Sequence, residues 1–414
     1  MIRTDIMIIG GGASGIFAAL IAHDLGANVC LIEGQNRLAK KLLATGNGRC
    51  NISNQKIKMP FVNYHSNNKS FYQKVLNKFT VKDTVAQFNY YGLPITSLAD
   101  GRMYPESLQA SSVIDLLLLN LEERKIPIYL ESKVTKINKL NDEFIVEVND
   151  DNNNLFSARK LLIACGGMAS PHTGSDGSIY DILRSLGHKI NQPLPTIVQL
   201  KLTYNYLKSI SGVRFDALAK VCVDGIIKRQ DYDEVLFTDY GISGKAILQL
   251  SHEASIALHK KQDVKIRIDL FPHLSEEELK NILDTRYELF SHRSIYQVLI
   301  GFIHKKLIPV ILKDSEIIDI HKTCYSLTYQ EKLRLKQNLK NWTFTCIDTN
   351  GFKNAQGTIG GVDTGNINSE TLESKIVKDL YFAGEVIDVV GDCGGFNLQW
   401  AWSSGYIAGS NLVK

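Results

Sequence analysis

The chain contains no C-x-x-C pair and no H-x-x-x-H pair. Its seven cysteines, Cys30, Cys50, Cys165, Cys222, Cys324, Cys346 and Cys393, are odd in number and scattered. That argues against a disulfide framework and for free thiols in a reducing compartment. With no Cys/His cluster either, no metal is expected. Charge of neither sign dominates: the formal net charge is +4 over 414 residues, spread along the chain. No basic stripe is interleaved with aromatics, so nucleic acid is not an expected partner. Long hydrophobic runs are also missing. The apolar stretch near the start is broken by Gly10, Gly11, Gly12 and Gly15, so no membrane span is expected. No secretory signal precedes the first strand, which begins by Asp5, and the expected location is the cytoplasm. Internal repeats and low-complexity tracts are absent, and oligomeric state stays open.

What is present is a globular composition too long for one ordinary core. Residues 5–9 form an apolar strand ending in glycines. Apolar residues then fall at helical spacing from Ser14 to Leu25, and residues 28–32 form a second apolar strand closed by Glu33. A polar, Gly-rich loop covers residues 39–54. Thr80 with Asp83, and Thr328 with Glu331, read as capping boxes. Ser107 reads as the cap of a helix carrying Ile114, Leu117, Leu118 and Leu121. Asp100-Gly101 and Asp224-Gly225 are hairpin signals. Residues 126–131 read as a strand, residues 133–158 as an antiparallel meander, and residues 160–164 as a buried strand before Gly166-Gly167. Residues 196–238 read as strands, 243–340 as mostly helix, 342–347 as strand, and 379–383 as one more buried strand. The expected division is 1–190, an insert at 191–354, and a closing part at 355–414.

Gly10-Gly11-Gly12-Ala13-Ser14-Gly15 is G-x-G-x-x-G between a strand and a helix. The first glycine permits the turn, the second lets a pyrophosphate approach the backbone, and the third lets helix and strand pack. The helix N-terminus offers amide donors to phosphate. Glu33, about 20 residues on, stands where an acid accepts ribose hydroxyls and disfavours a 2′-phosphate. The alternative is an ordinary Gly-rich turn. Near the C-terminus, Tyr381-Phe382-Ala383-Gly384-Glu385 puts an acid just past a buried strand. Gly391-Asp392-Cys393-Gly394-Gly395-Phe396-Asn397 then opens an apolar helix. A second helix N-terminus can face the pyrimidine edge of a flavin and stabilise the negative charge gathered on reduction. Glu385 would accept a ribitol or ribose hydroxyl, or else cap that helix. A plain NAD dehydrogenase needs none of these C-terminal signals, so FAD is the expected cofactor.

Four stretches resemble the BaiN-like (YhiN-type) family of NAD(P)/FAD-dependent oxidoreductases: IIGGGASGIFAA, KKLLATGNGRCNISN, ADGRMYP and LYFAGEVIDVVGDCGGFNLQWAWSSGYIAG. The resemblance implies an α/β fold with a Rossmann-like FAD-binding domain of glutathione-reductase type. It also implies an inserted β-barrel with a small helical bundle. It places Arg49, Cys50, Asn51, Asp392, Gly394, Gly395, Asn397 and Gln399 at the cofactor. Lys41, Gly48, Val134, Gly166 and Gly384 complete the candidate cofactor set. The chain departs from the family at Cys165 and Cys393, where Thr is usual. It also departs at Phe237-Thr238-Asp239-Tyr240-Gly241-Ile242-Ser243-Gly244-Lys245, where the family tends to carry a histidine at the third place and a proline at the last.

No residue is assigned to catalysis, but three are candidates. Cys50 is either a redox thiol partnered by Cys393 or a small buried side chain in a turn. Arg102 and Tyr104 follow a hairpin turn. They either line the substrate side, where a cation stabilises an anion or the reduced flavin, or lie on an ordinary surface hairpin. Trp400 and Trp402 read as core. The expected activity is an FAD-dependent transfer of a hydride or two electrons between a small organic substrate or NAD(P)H and an acceptor. No second G-x-G-x-x-G exists, so NAD(P)H would dock transiently. The alternatives are an oxidase of small amines or alcohols and, in another class, an FAD-binding protein that modifies or binds RNA.

Overall fold

A computed structural model describes residues 1–150 and 154–414. Residues 151–153, in one expected turn of the meander, lie outside the described residues. The chain divides into two compact units, Met1–Pro195 with Ala355–Lys414, and Thr196–Asn354. Residues 191–195 stand with the first unit because strand Ile190–Thr196 pairs with Gly357–Val362.

The first unit is built on a sheet ordered Ile128–Tyr129, Val29–Ile32, Ile2–Ile9, Leu155–Ile163, Glu143–Asn149, Lys133–Leu140. The strands on either side of Ile2–Ile9 run parallel to it. Ile6–Ile9, Val29–Ile32 and Leu161–Ile163 are all buried, as central parallel strands covered on both faces must be. The expected meander and the expected buried strand share one element. The first half of Leu155–Ile163 pairs antiparallel with Glu143–Asn149, and its second half pairs parallel with Leu380–Phe382.

Local chemistry fixes several boundaries. Thr80/Asp83 and Thr328/Glu331 form reciprocal capping boxes, and so do Ser275/Glu278 and Ser294/Gln297. Ser107 does not cap a helix. Leu108 turns left-handed (φ 52°), and helix Ala110–Glu123 starts after Gln109 with no side-chain cap. The first helix, Ala13–Asp24, packs on the last, Phe396–Leu412, through small residues. A Cβ at Gly405 would lie 2.7 Å from the Ser14 carbonyl oxygen, and one at Gly409 2.7 Å from that of Ala18. This contact sets the glycine turns before both helices at one end of the unit.

The second unit is a closed six-stranded barrel in the order Leu200–Thr203, Gly241–Ser243, Ile226–Phe237, Arg214–Val223, Val264–Asp269, Trp342–Thr349. Strand Val264–Asp269 interrupts the region 243–340 that reads as mostly helix. Its alternation of buried and half-buried residues is that of a barrel wall. Phe237, Trp342 and Phe344 pack as an aromatic core. Helices Glu276–Leu289, Ile295–Leu299, Ile308–Asp314 and Tyr329–Asn341 form the helical part. Buried Lys340 ties it to the barrel through Asp269 at 2.8 Å.

Candidate functional site

The three motif glycines differ in their surroundings. Gly10 has φ 111°, and a Cβ there would lie 2.4 Å from the Ala164 carbonyl oxygen. A Cβ on Gly15 would sit 1.9 Å from the Gly10 oxygen, so only glycine lets this helix meet its strand. Around Gly12 there is no atom within 4 Å of a built Cβ, and the helix starts there with no side-chain cap. Its first amides, those of Ala13 and Ser14 among them, lie at the open helix end. Glu33 is held over the turn: Oε2 accepts from the Gly11 amide and Oε1 from the Gln35 amide, both at 2.8 Å. Burial raises its carboxyl above the ordinary value, and those amides oppose the rise. The Glu33 carbonyl accepts from the Ser132 amide, which leads into the strand carrying buried Val134.

Beyond the strand Leu380–Phe382, Gly384 has φ 78° and packs its α-carbon against Ser14. The Lys41 ammonium donates to Glu385 Oε2 at 2.6 Å. Glu385 Oε1 is buried with no partner. Gly166 and Gly167 adjoin this carboxylate, since Cβ atoms on them would approach it to 3.9 and 3.2 Å. The buried Tyr180 hydroxyl also lacks a partner, and it lies 3.2 Å from where a Cβ on Gly361 would stand.

The loop before the last helix is shaped by amide side chains. Asn397 Oδ1 accepts from the Gly391 amide at 2.8 Å, and its Nδ2 donates to the Gly391 carbonyl at 2.9 Å. Gly394 and Gly395 have φ 130° and 98°. Asn54 donates to the Gly394 carbonyl. Asp392 is buried and bonded to His65 at 2.8 Å and to Asn63 at 3.0 Å. Gln399 is fully buried and spends its amide on Ser53, Thr84 and Ser403. Its side chain therefore ties the last helix to the rest of the unit. Asn51 differs: its Oδ1 is buried without a partner, 2.9 Å from where a Cβ on Gly395 would stand. Gly48 (φ 80°) and Arg49 are exposed beside it in sequence.

Of the three catalytic candidates, Cys50 is built as a packing residue. It is fully buried at φ 57°, and burial pushes its thiol up to about 12, the opposite of an activated thiolate. Arg102 and Tyr104 lie on a strand paired with Ser53–Asn54. Arg102 is clamped by Asp100 at 2.5 Å and reaches the same field as Tyr104 and Cys393. Tyr104 is buried, and burial raises its phenol above the ordinary value. The charges of Arg102 and Arg49 oppose that rise. Arg49, Arg102 and Cys393 all fall within electrostatic reach of Tyr104. The partnership of His65 with Asp392 had no linear signal, because it depends on a two-residue strand, Tyr64–His65, pairing with Val390–Gly391. Both tryptophans are core: Trp400 donates to the Gly384 carbonyl and Trp402 to that of Ile52.

An open helix end at Gly12, a held acid at Glu33 and two orphaned buried oxygens, on Asn51 and Glu385, fit an extended dinucleotide with further polar groups beyond its phosphates. The class this fold and site define is an FAD-dependent oxidoreductase. Residues 4–411 match the family described as HI0933-like protein Rossmann domain, and the chain belongs to that family. It is 37% identical over 406 residues to a 3-dehydro-bile acid delta(4,6)-reductase of Clostridium scindens, covering 98% of each chain. It is 30% identical over 420 residues to a ribosomal RNA dihydrouridine synthase of Haemophilus influenzae, covering 99% of each. A protein of the same name from Escherichia coli is 29% identical over 417 residues, covering 100% of this chain and 99% of that one. Among solved structures, a 3-ketosteroid delta1-dehydrogenase from Sterolibacterium denitrificans aligns over the full length of both chains, with a TM-score of 0.50 at 11% identity. That likeness is one of fold. Among the described residues, no helix is long and apolar enough to cross a membrane.

Proposed function

We propose that the protein is a flavin-dependent reductase of a carbon–carbon double bond conjugated to a carbonyl group. The observation that carries this is the Arg49–Arg102–Tyr104 cluster: two guanidinium groups in the field of a buried, protonated phenol. Conjugate reduction develops negative charge on the carbonyl oxygen, and fixed cations and hydrogen-bond donors stabilise it there. The names of the similar proteins point the same way. One describes reduction of ring double bonds in a 3-dehydro steroid acid, the other the making of dihydrouridine.

In this reading the amides at Gly12, Ala13, Ser14 and Gly15 receive the pyrophosphate and Glu33 the adenosine ribose, with Val134 on the same side. Glu385, steadied by Lys41 and flanked by Gly166 and Gly384, takes a ribitol hydroxyl through its orphaned Oε1. Asn51 Oδ1 and the turn Asp392–Gly395 take polar groups of the isoalloxazine ring. Asp392, anchored by His65 and Asn63, and Asn397 hold that turn rigid. When bound, flavin would supply a hydride to the β-carbon, with solvent providing the proton for the α-carbon. Arg102, fixed by Asp100, and Arg49 orient and polarise the substrate carbonyl, and NAD(P)H is a transient donor.

The test is reoxidation of the reduced protein under anaerobic conditions. A 4-en-3-oxo steroid or a simple cyclic enone restores flavin absorbance and yields the saturated ketone. Reoxidation only by oxygen or quinones, with every enone returned intact, would sink the proposal.

The two proteins named for ribosomal RNA support a second reading, in which the double bond belongs to a uridine of RNA. Its test is conversion of uridine to dihydrouridine in added ribosomal RNA, read by mass spectrometry as a gain of two hydrogens.

A further inference from the structure

The outer wall of the barrel carries a cation pair without counter-charge. Lys220 and Arg267 face each other across neighbouring strands. Like charges directly opposite in a sheet repel. Neither takes part in an ion pair or side-chain hydrogen bond among the described residues, although acids on nearby strands are plentiful. Of these acids, Glu234 pairs with Arg214, Asp263 with Lys265, Asp348 with Lys201 and Asp269 with Lys340, while exposed Asp216 lies four residues from Lys220 along its strand.

The register extends the row. Gln230 lies opposite Lys220 on one side, and Thr343 lies opposite Arg267 on the other. Lys265 stands two residues from Arg267 on the same strand face, with Thr345 opposite it. Tyr232, two residues from Gln230 on the same face, is 57% exposed. Neighbouring strands are about 5 Å apart, and same-face residues on one strand about 7 Å apart. The face therefore sets the Lys220–Arg267 pair beside the Lys265–Asp263 ion pair, with neutral hydrogen-bonding side chains opposite the cations and an exposed aromatic ring nearby.

We propose that this face, centred on Lys220 and Arg267, docks the phosphate backbone of RNA. Cations spaced on the scale of successive phosphates neutralise the polymer. The Gln and Thr side chains bond sugar and phosphate oxygens, and Tyr232 offers a stacking surface for an unpaired base. The proposal extends the RNA reading above by naming the surface that would hold the polymer, and its test separates the two.

The test measures binding of a labelled, uridine-rich RNA hairpin to the full-length, flavin-loaded protein across a salt series. The Lys220→Gln/Arg267→Gln double variant is expected to bind about 10-fold more weakly at low salt, with a slope of log affinity against log salt shallower by about 1 to 2. The charge-preserving Lys220→Arg/Arg267→Lys variant keeps binding, and both variants keep the wild-type flavin spectrum and melting temperature. Equal RNA affinity after neutralisation overturns the proposal, and so does no RNA binding by the wild type at low salt. A double variant that loses anionic vesicles or polyglutamate but keeps RNA overturns it as well. If the wild type binds RNA through this face yet leaves every uridine intact, the uridine reading fails and the docking face stands. If dihydrouridine forms equally in wild type and double variant, with equal affinity, the docking face fails and the uridine reading stands.

Discussion

Lys41 and Glu385, 344 positions apart in sequence, form a 2.6 Å ion pair that occupies one carboxylate oxygen and leaves the other buried and unpartnered. A ligand hydroxyl on the free side would complete the hydrogen bonding of Glu385. Lys41→Met is therefore expected to weaken FAD binding about 10-fold by leaving the carboxylate misplaced. Fluorescence titration of the flavin-stripped protein measures this. Unchanged affinity would remove Glu385 from the cofactor site.

Gly10 and Gly12 separate backbone necessity from ligand room. Gly10→Ala drives a methyl into the Ala164 carbonyl at a positive φ and is expected to cost at least about 2 kcal/mol in urea unfolding. Gly12→Ala meets no protein atom, so its flavin-free stability should match wild type within about 0.5 kcal/mol. Its FAD affinity should nonetheless fall at least about 10-fold, because the methyl occupies the approach to the helix end. Normal FAD affinity in Gly12→Ala would place the pyrophosphate elsewhere.

Glu33 makes a pH prediction. Burial raises its folded-state value above the ordinary 4.5, so the folded protein holds the proton more tightly than the unfolded chain does. The carboxyl's contribution to stability is full below about 4.5 and is lost as pH rises through the raised value. Glu33→Gln removes this titration. Whatever its offset, the flavin-free variant should gain on wild type as pH rises from the ordinary value of 4.5 through the raised one. Parallel urea midpoints across that range would contradict the assignment.

The opening strand–turn–helix was legible because only glycine fits at Gly10 and Gly15 and because Glu33 closes an apolar strand at a fixed distance. The capping boxes at Thr80 and Thr328 were legible because both partners lie within four residues. What stayed hidden depends on register between distant strands. Val264–Asp269 alternates too briefly to stand out from its helical surroundings, yet it closes the barrel. His65 meets Asp392 only through two-residue strands. Lys220 and Arg267 look like scattered charges in sequence and become neighbours only when their strands pair. Gln399, placed at the cofactor by family resemblance, is consumed by Ser53, Thr84 and Ser403, a commitment no linear pattern announces.

The central claim is that Arg102, clamped by Asp100 beside Tyr104, stabilises the charge that develops on an unsaturated carbonyl. The most direct measurement is the rate at which an enone reoxidises the anaerobically reduced protein, in wild type and in Arg102→Gln, with FAD affinity measured in parallel. The account predicts reoxidation slowed roughly 100- to 1,000-fold with FAD affinity unchanged. Equal reoxidation rates in the two proteins would contradict it.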